Sequence, residues 1–340
     1  MRILIEVHHP SDIHFFKNPV RIWRERGHEV RVLGRDRDVM RALLQAFDWM
    51  PHRLLTTAGE NNRFPVLEFA ERQVKVLAAA VAFRPDVLVS LMGSYMQGAS
   101  ALRAPNLVFT DSEHQALNHR IAHPFATRIY TPECFWKDLG PKQVRYRGYH
   151  ELAFLHPRRF EPDGRVLELL GHGPGSYILL RTSAWNTLHD IGEAGFGPML
   201  DDFIERAQRH GPVVIVPEGR SLPERWAHLE LKIPPHRFHD VIAFAKLVVT
   251  EGASTASESA CLGVPAVYVN SIQLGYLKDQ ADRYGLIHDF RRPEPALAHT
   301  LRLLEDGVSS RDFEAARDRL VADHIDVTEF VVDEVERHGR

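Results

Sequence analysis

Residues 246–270 read KLVVTEGASTASESACLGVPAVYVN, and this stretch decides the fold. The apolar run at 247–250 predicts a buried strand, and the small residues after it predict a turn that opens directly into a helix at 256–262. A second apolar run, at 266–270, follows the Gly-Val-Pro sequence at 263–265. A strand, a helix and a strand in this order form the unit from which parallel sheets are built.

The turn ahead of this helix carries side chains suited to a nucleotide. Free N–H groups at a helix start, together with the positive end of the helix dipole, suit a phosphate or diphosphate. Glu251 and Gly252 form the turn, and Ser254 or Thr255 either caps the helix or donates to the phosphate. Glu258 lies one turn further on, where its carboxylate can accept hydrogen bonds from both hydroxyls of a ribose. The alternative is an ordinary capped turn with a solvated glutamate.

Strands and helices alternate along most of the chain, with one interruption. Residues 148–176 are rich in Pro and Gly and predict a connection between two domains. We expect an N-terminal domain at 1–160, a C-terminal domain at 161–310, and helices at 311–340 that can pack back on the N-terminal domain. The pattern predicts an α/β protein with two Rossmann-like, doubly wound domains that face a central cleft. Ligands of such sheets bind at the carboxyl ends of the strands.

Composition narrows the class of protein. The 340 residues are 44% hydrophobic and 26% charged, with a formal net charge of −3, which is typical of a soluble globular enzyme. This balance excludes intrinsic disorder and offers no overall basic field, so no nucleic-acid partner is expected. The two cysteines, Cys134 and Cys261, are far apart. They argue against a disulfide framework or a structural zinc site and fit a reducing cytosol.

No stretch of the sequence predicts a membrane span or a secretion signal. The longest apolar run, at 76–83, is far shorter than the about 20 residues that a span requires. Residues 1–7 are too few and too quickly charged for a signal peptide. We therefore expect a cytoplasmic protein, and peripheral contact with a membrane stays open. Separately, neither a cofactor nor a metal is expected.

The loop after the first predicted strand is a second candidate site. His14 falls near the start of the following helix, and a histidine pKa near neutrality suits it to take a proton from a hydroxyl. Asp12 is the alternative base, or it orients a histidine, or it simply caps the helix. A metal site built from His8, His9, Asp12 and His14 is a further alternative.

Residues 251–265 resemble the sugar-nucleotide motif of GT-B proteins. They are similar to the motifs of the N-acetylglucosaminyltransferase that makes lipid II and of the non-hydrolysing UDP-N-acetylglucosamine 2-epimerases. In both, a Gly/Ser turn opens a helix, a glutamate holds the ribose and a Gly-x-Pro sequence closes the unit. From residue 1 to about residue 290, the chain also resembles a prokaryotic family with a domain of unknown function, related to those enzymes. The residues that carry this second resemblance are His9, Pro10, Asp12 to Phe15, Asp111 to His114 and Tyr146 to Glu151.

The resemblance implies roles for residues outside the motif. His14 matches a histidine in the first loop of the transferase, and Glu113, with His114 beside it, matches a catalytic glutamate of the epimerases. Arg181 is implied in binding the diphosphate, and Gln273 in reaching the donor sugar. The epimerases also carry a Gly-Asp pair where this chain has residues 92–94 (Met-Gly-Ser), and a histidine near Arg181 that this chain lacks. These departures argue against 2-epimerase chemistry.

The expected function is therefore glycosyl transfer. A sugar would pass from a nucleotide-diphospho-sugar, expected to be UDP-linked, to a hydroxyl of a sugar or lipid-linked acceptor in cell-envelope or polysaccharide biosynthesis. His14 or Asp12 would act as the base, with Glu113 or His114 assisting, and the helix start and Arg181 would stabilise the leaving diphosphate. The alternatives are a sugar-nucleotide epimerase or hydrolase, and a non-catalytic nucleotide-sugar-binding protein.

Overall fold

The chain divides into two units, each with its own parallel sheet. The computed structural model describes residues 1–36, 39–49, 52–57, 65–182, 196, 199–218 and 222–339. Unit 1 comprises Met1–Arg159 and His324–Arg340, and unit 2 comprises Phe160–Asp323. The two Rossmann-like units that the sequence predicts are thus present.

The strands of both units follow one another along the chain. They are β1 (Arg2–Val7), β2 (Glu29–Asp36), β3 (His52–Thr57), β4 (Val87–Leu91), β5 (Asn106–Phe109), β6 (Arg128–Pro132), β7 (Gln143–Tyr146), β8 (Ile178–Thr182), β9 (Val213–Pro217), β10 (Leu247–Thr250), β11 (Ala266–Val269) and β12 (Ile287–Phe290). The strands predicted at 247–250 and 266–270 are present as β10 and β11, with bounds that agree within one residue. The sequence pattern did not predict β3, β7 or β12, which are all edge strands.

Helices connect the strands and cover the sheets. They are α1 (Pro10–Glu25), α2 (Met40–Ala46), α3 (Pro65–Phe83), α4 (Ala116–Ala122), α5 (Leu152–Leu155), α6 (Arg165–Leu170), α7 (Leu200–Ala207), α8 (Phe238–Ala243), α9 (Ala253–Cys261), α10 (Gly275–Tyr284), α11 (Pro293–Asp306), α12 (Ser310–Asp323) and α13 (Val327–His338). None of the described helices combines the length and the apolar character needed to cross a membrane.

The sheet of unit 1 has the order of a dinucleotide-binding fold. Its seven strands pair in parallel in the order β3-β2-β1-β4-β5-β6-β7, so the order reverses between β1 and β4. Strand β1 is buried along nearly its whole length, which explains its continuous apolar run. The loops after β1 and β4 therefore flank the reversal, where such sheets bind ligands.

The sheet of unit 2 reverses once as well. Its five parallel strands pair in the order β12-β11-β10-β8-β9, which is the order of flavodoxin-like sheets. The reversal lies between β8 and β10, which pair in register from Leu247 with Ile178 to Thr250 with Arg181. The stretch at 246–270 thus supplies one of the two loops at this reversal.

The last helix belongs to unit 1, whereas α12 belongs to unit 2. Within unit 1, Thr328 in α13 donates its hydroxyl to the Ala153 carbonyl at 2.5 Å, and Tyr130 donates to Glu334 at 2.7 Å. Within unit 2, Tyr284 donates to Asp323 at the end of α12 at 2.8 Å. The second boundary between units therefore lies at residue 323, later than the expected 310.

A fully buried ion pair joins α3 to the central strand of unit 1. Glu6 in β1 and Arg72 in α3 have no exposed surface and are in direct contact, and Arg72 also donates to the Val7 carbonyl at 3.1 Å. Burial acts to raise the pKa of Glu6, whereas the charges of Arg72 and of the neighbouring His8 act to lower it. The two charges outweigh the effect of burial, so the pKa of Glu6 lies below its usual value. Glu6 is therefore a buried anion that depends on its partner.

Replacing Arg72 with methionine leaves this carboxylate without its guanidinium. We expect Arg72→Met to lower the free energy of unfolding by about 3–5 kcal/mol, since one half of a buried pair is left uncompensated. The double variant Glu6→Leu/Arg72→Met should recover most of the loss. Urea denaturation followed by circular dichroism measures both. As a control, Arg21→Ala breaks the exposed pair with Glu25 and should change stability by less than about 1 kcal/mol. A double variant as unstable as the single one would contradict this account.

Candidate functional site

The start of α9 is the centre of the candidate site in unit 2. Gly252 occupies the N-cap position, and no side chain among the described residues caps the helix there. Because the helix begins at Ala253, Ser254 and Thr255 lie in its first turn and do not hold the cap position. Three N–H groups of a first turn without a side-chain cap suit an anionic ligand. A Cβ on Gly252 would make only ordinary contacts, 3.5 Å from the Thr250 hydroxyl and 3.8 Å from the Arg181 guanidinium, so packing does not require glycine here.

Arg181, at the end of β8, reaches across the sheet reversal to this turn. Its Nη1 donates a hydrogen bond to the Thr255 hydroxyl, and its Nη2 lies 3.6 Å from the Glu218 carboxylate after β9. The guanidinium also lies 5.5 Å from the centre of the Phe238 ring. Arg181 thus places a positive charge, accompanied by the Glu218 carboxylate, beside the positive end of α9, where the guanidinium and the helix end can both attract an anionic ligand.

Buried contacts of Glu251 hold the turn between β10 and α9 in place. It is buried, its carboxylate accepts the Phe196 N–H at 2.7 Å, and its carbonyl accepts a hydrogen bond from the Asn270 side chain at 2.9 Å. Its own N–H donates to the Arg181 carbonyl at 3.2 Å. These contacts tie together the loops that follow β8, β10 and β11.

Glu258 and Gln273 lie in different surroundings. Glu258 is 6% exposed, and its Oε1 lies 3.2 Å from Nε2 of His239 in α8. Gln273, after β11, accepts a hydrogen bond from Arg291 at 2.9 Å and lies 3.5 Å from Asp289 of β12. Of the predicted residues, Arg181 is therefore in contact with the first turn of α9, and Glu258 lies further along the same helix. Gln273 instead contacts residues at the end of the edge strand β12. Arg220, a further arginine after β9 that could contact a phosphate, lies outside the described residues.

In unit 1, His9 holds the N-cap position of α1, and Asp12, which the sequence offered as a cap, lies in the first turn as the reciprocal partner in a capping box. Its Oδ2 accepts the N–H groups of His8 at 2.8 Å and His9 at 3.1 Å, and the same oxygen lies 3.3 Å from the His8 ring. The His8 ring also lies 3.4 Å from Glu6. Sequence patterns did not point to Glu6 or Arg72, because a charged residue inside an apolar strand or helix gives no periodic signal.

His14 lies inside the unit. It is 7% exposed, and its ring packs near those of Phe47 and Phe154, with centroid distances of 5.7 and 5.5 Å. Over the ranges that the structure describes, no group of three or more His, Cys, Asp or Glu residues could hold a metal ion, so no such group forms around His8, His9, Asp12 and His14.

The loop after β5 brings Asp111, Glu113 and His114 to the same sheet edge. Glu113 is buried, and its Oε1 accepts the Trp136 N–H at 3.3 Å. Asp111 Oδ2 lies 3.0 Å from Nδ1 of His150, which follows β7. His150 belongs to one of the stretches that carry the family resemblance, but no role was predicted for it, because strand β7 gave no signal in the sequence and the position of the following loop was unknown.

The pKa of His8 makes one contribution to stability dependent on pH. Burial acts to lower this pKa, but Asp12 and Glu6 outweigh it and raise it above the usual 6.5. Charged His8 therefore stabilises the fold fully below the unfolded pKa, and this contribution is lost as pH rises through the higher native pKa.

We expect the stability difference between wild type and His8→Gln to be largest below about pH 6.5 and to shrink as pH rises. Urea denaturation at a series of pH values measures it. His123→Gln is a control of opposite sign, since burial, then His119 and Lys142, lower the pKa of His123 to about 4, and its contribution is lost as pH falls. A difference at His8 that grows with pH would refute the assignment.

Two Rossmann-like units with parallel sheets define a GT-B-like α/β protein. The chain belongs to the family described as "Protein of unknown function (DUF354)", whose sequence profile matches residues 1–316. No curated protein matches the sequence significantly.

Solved structures that resemble the chain include epimerases and glycosyltransferases. UDP-N-acetylglucosamine 2-epimerase from Rickettsia bellii superposes with a TM-score of 0.67 at 13% identity, over 99% of this chain and 97% of that one. The UDP-GlcNAc 2-epimerase of Methanocaldococcus jannaschii, solved with UDP-GlcNAc and UDP, gives 0.64 at 11%, over 95% and 100%. The spinosyn forosaminyltransferase SpnP gives 0.67 at 13%, over 100% and 99%. At these identities the likeness establishes the fold.

Proposed function

We propose that the protein is a GT-B-type glycosyltransferase whose unit 2 binds a nucleotide-diphospho-sugar. The observation that carries the proposal is the position of Arg181 beside the first turn of α9, at the reversal of the sheet. A diphosphate there accepts hydrogen bonds from the helix N–H groups and from the guanidinium, as its charge grows during departure. Ser254 and Thr255 add hydroxyl donors in the same turn.

The nucleoside lies next to the diphosphate in this proposal. Glu258 accepts hydrogen bonds from the two ribose hydroxyls, and its contact with His239 holds the carboxylate in place. Glu251 fixes the turn through its contact with Phe196, and Gln273 contributes to the sugar side of the site. UDP is the nucleotide that we propose, in keeping with the UDP-GlcNAc found in similar structures.

Unit 1 supplies the acceptor site and the base in this proposal. His14 and Asp12 are the candidates from the sequence, with Glu113 or His114 assisting. Both candidates also make contacts that stabilise the fold. His14 packs among aromatic rings, and Asp12 accepts hydrogen bonds from the N–H groups of His8 and His9 just before α1. We propose further that the acceptor belongs to cell-envelope or polysaccharide synthesis. The protein would act in the cytoplasm, in peripheral contact with the membrane.

A sugar-nucleotide epimerase or hydrolase is the second candidate, favoured by the epimerases among the similar structures. It differs in needing no acceptor. NMR of the donor incubated with the protein alone distinguishes the two, since an epimer or free sugar would support the second candidate. Nucleotide binding without turnover under any condition would instead indicate a binding protein.

Thermal shifts with UDP, GDP, CDP, dTDP, ADP and their sugars test the nucleotide site. A ligand at 100 times its dissociation constant stabilises the folded state by about 2.7 kcal/mol. We expect one nucleotide to stabilise the wild type. Glu258→Ala and Glu258→Gln should weaken its binding more than about tenfold, because a charged hydrogen-bond acceptor is lost.

Calorimetry on folded protein gives the affinities, and Glu205→Ala, at an exposed glutamate of α7, is the control that should leave them unchanged. Unchanged affinity in Glu258→Gln would overturn the ribose assignment. No shift with any nucleotide would overturn the proposed function.

A further inference from the structure

We propose that Asp111 and His150 form the proton-transfer site of unit 1, in which Nε2 of His150 takes the proton from an acceptor hydroxyl. The inference rests on the proposed function for the identity of the reaction, and on unit 1 alone for the geometry. Asp111 follows β5 and His150 follows β7, so both lie at the carboxyl edge of the seven-stranded sheet. Loops at this edge are where parallel sheets bind ligands.

The contact between the two residues fixes the histidine. Asp111 Oδ2 lies 3.0 Å from Nδ1 of His150, so Nδ1 carries a proton and donates it to the carboxylate. In the neutral ring, Nε2 is then the atom with the free lone pair. Two aromatic rings pack against the imidazole of His150 and restrict its orientation. The Phe15 ring lies at a centroid distance of 4.8 Å, and the Tyr146 ring lies at 6.4 Å with its plane parallel to the imidazole.

The other nitrogen of His150 is buried and unused. The side chain is 8% exposed, and within the described ranges Nε2 has no hydrogen-bond partner. The Tyr146 hydroxyl is likewise buried without a partner among the described residues. A polar atom left without a partner in the interior destabilises the fold, so two of them on parallel rings are a poor structural arrangement. The hydroxyl group of a bound acceptor would give Nε2 of His150 the hydrogen-bond donor that it lacks.

Charges around His150 favour its protonated form. Burial acts to lower its pKa, but Asp111, then Glu151 and Asp12, outweigh burial and raise it. The charge of His150 in turn outweighs burial at Asp111 and holds the pKa of that carboxyl below its usual value. Burial raises the pKa of Tyr146 well above its usual value, so its hydroxyl keeps its proton. The groups facing His150 are thus carboxylates and a neutral phenol.

The transfer step balances with these groups. As the acceptor oxygen bonds to the anomeric carbon of the sugar, its proton passes to Nε2 of His150. The bond from that carbon to the diphosphate breaks, and the diphosphate leaves with the electron pair. Asp111 stabilises the imidazolium that forms, as a carboxylate does beside any catalytic histidine.

NMR titration of the full-length protein tests the proton site without a substrate. In long-range ¹H–¹⁵N spectra, assigned by comparison with His150→Gln, Nε2 should titrate above the usual histidine pKa of 6.5 while Nδ1 keeps its proton. Asp111→Asn keeps an oxygen acceptor but removes the charge, so it should move the titration to lower pH. A His150 that holds one protonation state between about pH 5 and pH 9 would overturn the inference.

Turnover of the donor identified by nucleotide binding tests the role in the reaction. His150→Gln should lower kcat by about 100-fold or more at unchanged nucleotide affinity, the size expected for loss of a general base. In Asp111→Asn, the acidic limb of the kcat profile should move to lower pH, which a purely structural residue would not cause. His123→Gln, at another buried histidine of unit 1, is the control and should keep its activity.

The outcomes separate this inference from the proposed function. Activity of His150→Gln within a few-fold of wild type would overturn the inference and leave the nucleotide site standing. Absence of nucleotide binding in the wild type would overturn the proposed function, and the NMR titration would then decide on the proton site alone. A His150→Gln variant that does not fold would leave the decision to Asp111→Asn and its titration.

Discussion

Parallel pairing is the constraint on which the rest of this structure depends. When every strand of a sheet runs in the same direction, every carboxyl end lies at one edge, and the loops that follow the strands meet there. In unit 2 this brings Arg181, from the end of β8, to the first turn of α9. In unit 1 it brings Asp111, after β5, to His150, after β7, although 38 residues of intervening chain separate two neighbours that lie 3.0 Å apart. Hydrogen bonding of the backbone thus assembles chemistry that is dispersed in the sequence.

The charged residues inside unit 1 form a second level of organisation. Glu6 lies in the middle of an apolar strand and is compensated by Arg72, and His8 lies between Glu6 and the Asp12 carboxylate. This network links the strand at the sheet reversal to α3 on one side and to the start of α1 on the other. Because each member is buried or half-buried, the loss of one charge changes the protonation of its neighbours.

Sequence patterns predicted the central strands because such strands are buried on both faces and read as continuous apolar runs, as in β1, β10 and β11. The edge strands β3, β7 and β12 include polar residues such as Arg145 and Asp289 and gave no comparable signal. The turn at Gly252 and the glutamate at 258 could be found from their spacing in the sequence. The contact between His150 and Asp111 could not be found in this way, because it depends on the unpredicted strand β7 and on a partner from another loop.

The path of the chain also has a consequence for the order in which the protein folds during synthesis. Unit 2 is continuous, and it is complete once residue 323 has left the ribosome. Unit 1 lacks α13 until the final segment emerges, and with it the hydrogen bonds from Thr328 to Ala153 and from Tyr130 to Glu334. Domains generally fold as units while the chain is being made. Unit 1 therefore completes its native packing only after all of unit 2 has been made, and the surface of α1 that α13 covers stays open until then.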